Sequence, residues 1–203
     1  MLKKALPAVL ALTMIFAFSL DARAEKWTID PVHSSVNFHI KHVVGQVTGH
    51  FERFEGNIEY DPQNPLDGNV SVTIEVDSID TGVKKRDQDL KSPKFFNTEE
   101  HPVMTFESDQ VQSAGVDRFV ALGTLTIKGV SRQIALPFKF FGRKDYPVPK
   151  QKCKEVIGVW SRITIDRFDY NVGTREYFNM GAAGKDVHIN IFVEALAGPE
   201  KCQ

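Results

Sequence analysis

Short runs in which apolar and polar residues alternate one by one recur along this chain, and that period limits its fold more than any other feature. A period of two sends successive side chains to opposite faces of a strand, so each run declares one buried face. Between Ser35 and Lys41, Val36, Phe38 and Ile40 share one face and Ser35, Asn37, His39 and Lys41 the other. The pattern returns with Phe54, Ile58 and Tyr60 against Glu55, Asn57 and Glu59, and with Val70, Val72, Ile74 and Val76 against Ser71, Thr73, Glu75 and Asp77. Residues 61–68, DPQNPLDG, read as the turn between them. Further strands are expected at 103–108, 118–127, 132–140, 156–166 and 187–196, about eight in all. Lys128-Gly129-Val130-Ser131 is short enough for a hairpin link.

Short links favour an antiparallel meander, and eight strands can close on themselves and leave no edge. The fold class is therefore all-β, an eight-stranded antiparallel barrel. Alternation alone does not say whether the apolar face points inward, and an outer-membrane barrel would reverse it. The polar ending AGPEKCQ and the long insertion at 77–106 count against that reversal. With the apolar face inward, an eight-stranded barrel stands at the size where the interior is either packed solid or holds one ligand, and both outcomes stay open.

Residues 77–106, DSIDTGVKKRDQDLKSPKFFNTEEHPVMTF, interrupt the strand pattern. Val83, Arg86, Asp87 and Leu90 fall at helical spacing and Pro93 prevents the helix from running on, which predicts two turns over about 83–91. Phe95 and Phe96 follow; in extended backbone they would point to opposite sides, so at least one is expected to enter the interior. Such a segment is either a lid over an open barrel end or a crossover that seals a core. Arg86, Lys91 and Lys94 form a basic cluster beside it, suited to a solvated face or to a phosphate-bearing lipid head.

The chain opens MLKK, continues through the apolar run ALPAVLALTMIFAFSL and reaches Ala-Arg-Ala at 22–24, the form of a secretory signal peptide cleaved after Ala24. One domain, 25–203, remains, long enough for a core of its own. The leader takes Lys3, Lys4, Arg23 and Asp21 with it and leaves a net charge of −3, which offers nothing to nucleic acid.

Other chemistry finds little footing. His39 and His42 lie three apart in a strand and face opposite ways, and His33, His50, His101 and His188 are scattered, so no metal site or cofactor is expected. His42 shares the parity of Phe38 and Ile40, which suits a hydrogen-bonding group at a tunnel mouth or a satisfied core histidine. No Gly-x-Ser-x-Gly elbow is present, and Asp87-x-Asp89 lacks the other ligands and the glycine of a calcium loop.

The run Asp80-Thr81, Arg86-Asp87, Leu90, Ser92, Phe95, Asn97, His101-Pro102 and Thr105-Phe106 resembles the signature of the YceI-like proteins. Phe38-x-Ile40-x-His42, Gly49-x-Phe51-x-x-Phe54-x-Gly56, the stretch Gly123 to Val130 and the strand from Gly158 to Asp169 agree with it, and together they cover most of the chain beyond the leader. The resemblance implies a lipocalin-like extended barrel, exported to the periplasm, whose apolar tunnel binds a polyisoprenoid or similar long-chain lipid such as a quinone tail, a prenyl phosphate or a fatty-acyl chain. It implies no settled catalysis; an enzyme or redox accessory acting on a bound isoprenoid at the membrane is the alternative. It also leaves room for a homodimer and for transient contact with a membrane or a membrane protein.

Inward parity places Phe38, Ile40, Phe54, Ile58, Val72, Ile74, Phe106, Leu125 and Ile163 on one apolar cavity. His42 is added at its mouth, and Arg86, Leu90, Phe95 and Phe96 in the cap. Cys153 and Cys202, with the aromatic segment from Tyr170 to Met180, depart from the family pattern.

An even pair of cysteines in an oxidising compartment suggests a disulfide, with two free thiols as the alternative. Pairing Asp166 with Asp186 would set Cys153 opposite Pro199, three residues from Cys202. Titration of the denatured, unreduced protein should find no free thiol, and two reactive thiols would refute the bond. Its loop of about 50 residues corresponds to roughly 4 kcal/mol on a chain-entropy treatment.

Overall fold

The computed structural model describes residues 25–60, 65–148 and 154–198. In chain order the strands are β1 (Glu25–Ile29), β2 (Ser35–His42), β3 (Gly45–Phe51), β4 (Phe54–Tyr60), β5 (Asn69–Glu75) and β6 (Ile79–Asp80), then β7 (Val103–Ser113), β8 (Arg118–Ile127), β9 (Val130–Asp145), β10 (Glu155–Asp166) and β11 (Ala183–Ala197). Helix α1 (Lys84–Lys91) lies between β6 and β7, and α2 (Arg175–Asn179) between β10 and β11.

These strands occupy eight positions around a closed antiparallel barrel. β1 and β2 lie end to end, because both pair with β11, at Thr28↔Leu196 and from Phe192↔Ser35 to Ala183↔His42. β3 and β4 continue each other in the same way against β2 and β1, and β5 and β6 against β4 and β3. The rest are whole strands in meander order, and the β1–β11 pairing closes the ring. This is the expected fold, with the β10–β11 register running through Asp166↔Asp186 as proposed from sequence. Cys153 and Cys202 lie outside the described residues, as does the leader at 1–24.

The strands differ from expectation in length. β1 and β3 did not stand out, and β7, β9 and β11 run to 11, 16 and 15 residues. Alternation breaks at the bulges. Asp109 is extra between Ser108↔Gly123 and Gln110↔Leu122, Phe141 is extra opposite Gly158 and Val159, and β11 shifts register between Ala183 and Val187. The β8–β9 link is a two-residue turn with Lys128 and Gly129 at φ +50° and +71°, the geometry that suits a tight hairpin.

The breaks in the first three positions fall at one level, over residues 30–34, 52–53 and 76–78, and crease the wall. Side chains take up the ladder's lost hydrogen bonds there. Ser78, 2% exposed, accepts from the Arg53 N–H at 3.1 Å and donates to the Glu75 carbonyl at 2.6 Å. The Ser34 hydroxyl accepts from the Glu194 N–H at 3.0 Å. Outside, Arg53 pairs with Glu75 and Asp77.

A second break lies between β9 and β10, whose pairing runs only from Glu155↔Asp145 to Ser161↔Phe138. Pro137, with no N–H to give a ladder, stands where it ends, and its carbonyl accepts from the buried Ser161 hydroxyl at 2.6 Å. Beyond it, Arg132 reaches the Asp169 carbonyl, and Lys128 donates to the carbonyls of Asn171 and Pro93, each at 3.0 Å.

The interior is packed at one place and hollow at another. Trp27, Ile157, Ala195 and Ala197 fill one side of the end that carries the β7–β8 turn. A larger cluster around Phe51, Phe54, Val76, Met104, Tyr170 and Val172 lines the other end, under α1.

Because Ser78 replaces ladder bonds at the crease, Ser78→Ala should lower the unfolding free energy by about 1–3 kcal/mol, as for any buried amide left without a partner. Exposed Ser131 bonds only Thr126 across the hairpin, so Ser131→Ala should change stability by less than about 0.5 kcal/mol. Equal urea midpoints for the two variants would show that the crease does not depend on its hydroxyl.

Candidate functional site: an apolar cavity beneath a helical cap

Strand alternation delivers Phe38, Ile40, Phe54, Ile58, Val72, Ile74, Phe106, Leu125 and Ile163 to one cavity of about 720 Å³. That volume lies within the range of pockets that enclose a whole small ligand. On one side it extends to Val70, Val111 and Phe119, opposite the block around Trp27.

The segment joining β6 to β7 caps the other end. Asp87 accepts hydrogen bonds from the Thr81 N–H and hydroxyl at 3.0 and 2.5 Å, and Arg86 donates to the Thr81 hydroxyl and carbonyl, both at 2.8 Å. The two charged residues therefore grip Thr81, not each other. Arg86 lines the cavity with its guanidinium so engaged, and Val83, half exposed, borders the same space. Leu90 packs against the core as expected.

After α1 the chain turns. The Phe95 N–H bonds the Ser92 carbonyl at 2.9 Å and the Phe96 N–H the Leu90 carbonyl at 3.0 Å. Because this backbone is not extended, both rings line the cavity, one more than parity required. Phe96 meets Phe51 edge to face at 6.3 Å, and Phe51 meets Phe38 at 5.7 Å, which ties the cap to the wall.

His42, exposed, lies at the cavity mouth. Of the expected basic cluster, Arg86 and Lys94 line the cavity and Lys91 does not. Lys41, Lys85 and Lys94 stand there beside Arg86, with Asp89 as the acidic residue. All fourteen residues singled out from sequence thus border one space.

The loop from Arg167 to Ala182, noted in the sequence only as an aromatic departure, contributes Arg167, Tyr170, Val172 and Tyr177 to the same space. Arg167 is 6% exposed. Its Nε donates to the Gly184 carbonyl at 2.9 Å and its Nη1 to the Val172 carbonyl at 2.7 Å, and the guanidinium lies 4.1 Å from the Phe168 ring centre. Burial pulls its pKa down from the usual arginine value, with nearby Asp166 acting the other way. Sequence reading missed it because a charge inside the apolar lining is the opposite of the pattern that finds the lining.

The histidines are outside the cavity apart from His42. His39 and His42 do face opposite ways; His39 stacks on His188 at 4.8 Å, and His188 bonds the Thr164 hydroxyl at 2.8 Å. His50, expected to be isolated, is brought by the β3–β6 pairing to within 4.8 Å of the carboxylates of Glu52 and Asp80 on the surface.

The comparisons agree with this architecture. Residues 27–195 match the YceI-like domain. A UPF0312 protein of Pectobacterium atrosepticum is 33% identical over 198 residues, covering 97% of this chain and 98% of its own. The crystal structure of Burkholderia cenocepacia BcnA superposes with a TM-score of 0.72 at 24% identity, over 83% of this chain and 99% of that one. A polyisoprenoid binding domain from Saccharophagus degradans shares the fold at a TM-score of 0.59 and 17% identity, over 87% of this chain and all of its own. On the match across its barrel and the full-length likeness to a curated relative, the chain belongs to the YceI-like family.

Proposed function

We propose that the chain is exported to the periplasm and binds one long apolar ligand of the polyisoprenoid class inside its barrel, carrying or buffering it without altering it. The observation that carries this reading is the elongated cavity, walled by aliphatic and aromatic side chains and capped at one end by a helix and two phenylalanines. The polyisoprenoid binding domain of Saccharophagus degradans, which has the same fold, supports the ligand class. The leader read from residues 1–24 supports the compartment.

Affinity in such a site comes from area. Enclosing several hundred Å² of apolar chain at ~25 cal/mol per Å² gives on the order of 10 kcal/mol before the costs of ordering the ligand. Aliphatic walls cannot distinguish one hydrocarbon from another by hydrogen bonding, so length and width set the choice. The capped end also exposes Val43, Val44, Tyr177, Phe178 and Met180 near Lys41 and Lys85. Apolar tips among cations suit brief contact with a bilayer that gives up or receives the chain.

Organic extraction of the purified protein followed by mass spectrometry should release a long-chain lipid that is unchanged after incubation with the protein. A transformed lipid would favour an enzyme, and an empty barrel that takes up no isoprenoid would overturn the reading. If the cap governs release, replacing Phe95 and Phe96 together by alanine should raise the lipid off-rate more than tenfold, a loss of ~1.4 kcal/mol or more, with the barrel still folded. An unchanged off-rate would reduce the segment to a crossover.

A further inference from the structure

We propose that Arg167 forms a head-group subsite at the capped end of the cavity, where its guanidinium binds the phosphate or carboxylate of an anionic amphiphile. The proposal rests on the reading that the barrel holds the apolar chain of such a molecule, and it adds which kind of head the chain carries.

The case begins with the accounting of one side chain. A guanidinium has five N–H donors and is charged at every physiological pH. Nε is committed to the Gly184 carbonyl and one Nη1 donor to the Val172 carbonyl. Among the described residues, Nη2 makes no hydrogen bond and no carboxylate lies within 4.0 Å of the group. Asp166, next in the chain, is held by Lys185 at 2.9 Å and by the Phe168 N–H at 2.9 Å. Arg167 is nevertheless 94% buried and lines an apolar cavity. Burying an ion with no counter-charge in contact is among the most costly arrangements in a protein, and the two carbonyls orient this cation without neutralising it, the nearby Asp166 carboxylate being engaged by Lys185.

The surroundings are built for that guanidinium. Gly173, at φ +80°, leaves the space it fills; a Cβ there would come within 2.2 Å of Nη1 and 3.0 Å of the Phe95 ring. Arg167 thus sits beside the cap phenylalanine, where the polar head of a chain lying in the barrel would come to rest. Phe168 covers one face of the guanidinium, so its approach to a ligand is through its edge, the side that pairs with an oxyanion. Lys41, Lys85 and Lys94 at the mouth, against Asp89, favour an anion on its way in.

The test compares farnesyl phosphate with farnesol, two probes with the same chain, by calorimetry on the wild-type chain and on R167Q and R167K. Wild type should bind the phosphate at least tenfold more tightly. R167Q should lose that preference while weakening for farnesol by no more than two- to threefold, and R167K, with a point charge and no fork, should keep part of it. Equal loss for both probes in R167Q would make Arg167 a structural clamp for its loop and overturn the proposal. So would a preference that survives R167Q. A crystal structure of the wild-type farnesyl phosphate complex decides the matter without a variant: phosphate oxygen about 2.7–2.9 Å from Nη2 is expected, and phosphate held by Lys85 and Lys94 away from Arg167 would refute the subsite. Equal wild-type affinity for the two probes would overturn this proposal alone, whereas binding of neither would overturn the tunnel reading as well.

Discussion

Everything in this molecule depends on β11 pairing along both of its edges. One edge meets β10 along the whole of β10, from Glu155↔Ala197 to Asp166↔Asp186; the other meets β1 and β2 in turn. That double engagement turns a sheet into a barrel. Without it the inward residues of eight strand positions would form an exposed apolar face, with an unpaired edge on either side. With it the same residues face one another, and the space left between them becomes the feature that function can use.

Closure sets two demands in opposition. A large apolar void forgoes the contacts that stabilise a solid core, yet this barrel keeps one of about 720 Å³. The structure divides the work by position. Trp27, fully buried among Ile157, Ala195 and Ala197, gives one side of the barrel an ordinary packed core, while the Phe38–Phe51–Phe96 contacts tie the cap across the hollow end. Lys128 joins the two loops over that end by donating to a carbonyl in each, Pro93 in one and Asn171 in the other.

The wall was legible in the sequence because its side chains obey a strict period, and so were the cavity residues that the period places inward. What hid was whatever breaks the period for a physical reason. In β3 the inward position between Val47 and Phe51 is Gly49, where a Cβ would strike the Phe38 ring at 2.5 Å and the Asp80 carbonyl at 2.9 Å, so the residue that permits close packing also erases the apolar signal. β7 and β9 were cut short at Asp109 and Phe141, the extra residues of two bulges. That Arg86 and Asp87 hold the cap through Thr81 was hidden too, because a threonine carries no charge to suggest a partner. Arg167 stayed hidden because only the fold reveals that a polar residue beyond the end of a strand turns back under the cap.

The crease has a bearing on shape. Where residues 30–34, 52–53 and 76–78 interrupt three neighbouring strands, side-chain hydroxyls take over from the ladder, and past that level the block around Trp27 occupies one side, so the space that remains lies toward Val111 and Phe119. A space filled on one side is narrower there than an open bore. The packed block thereby limits the width of the cavity at that end, a constraint of shape that hydrophobicity alone does not provide.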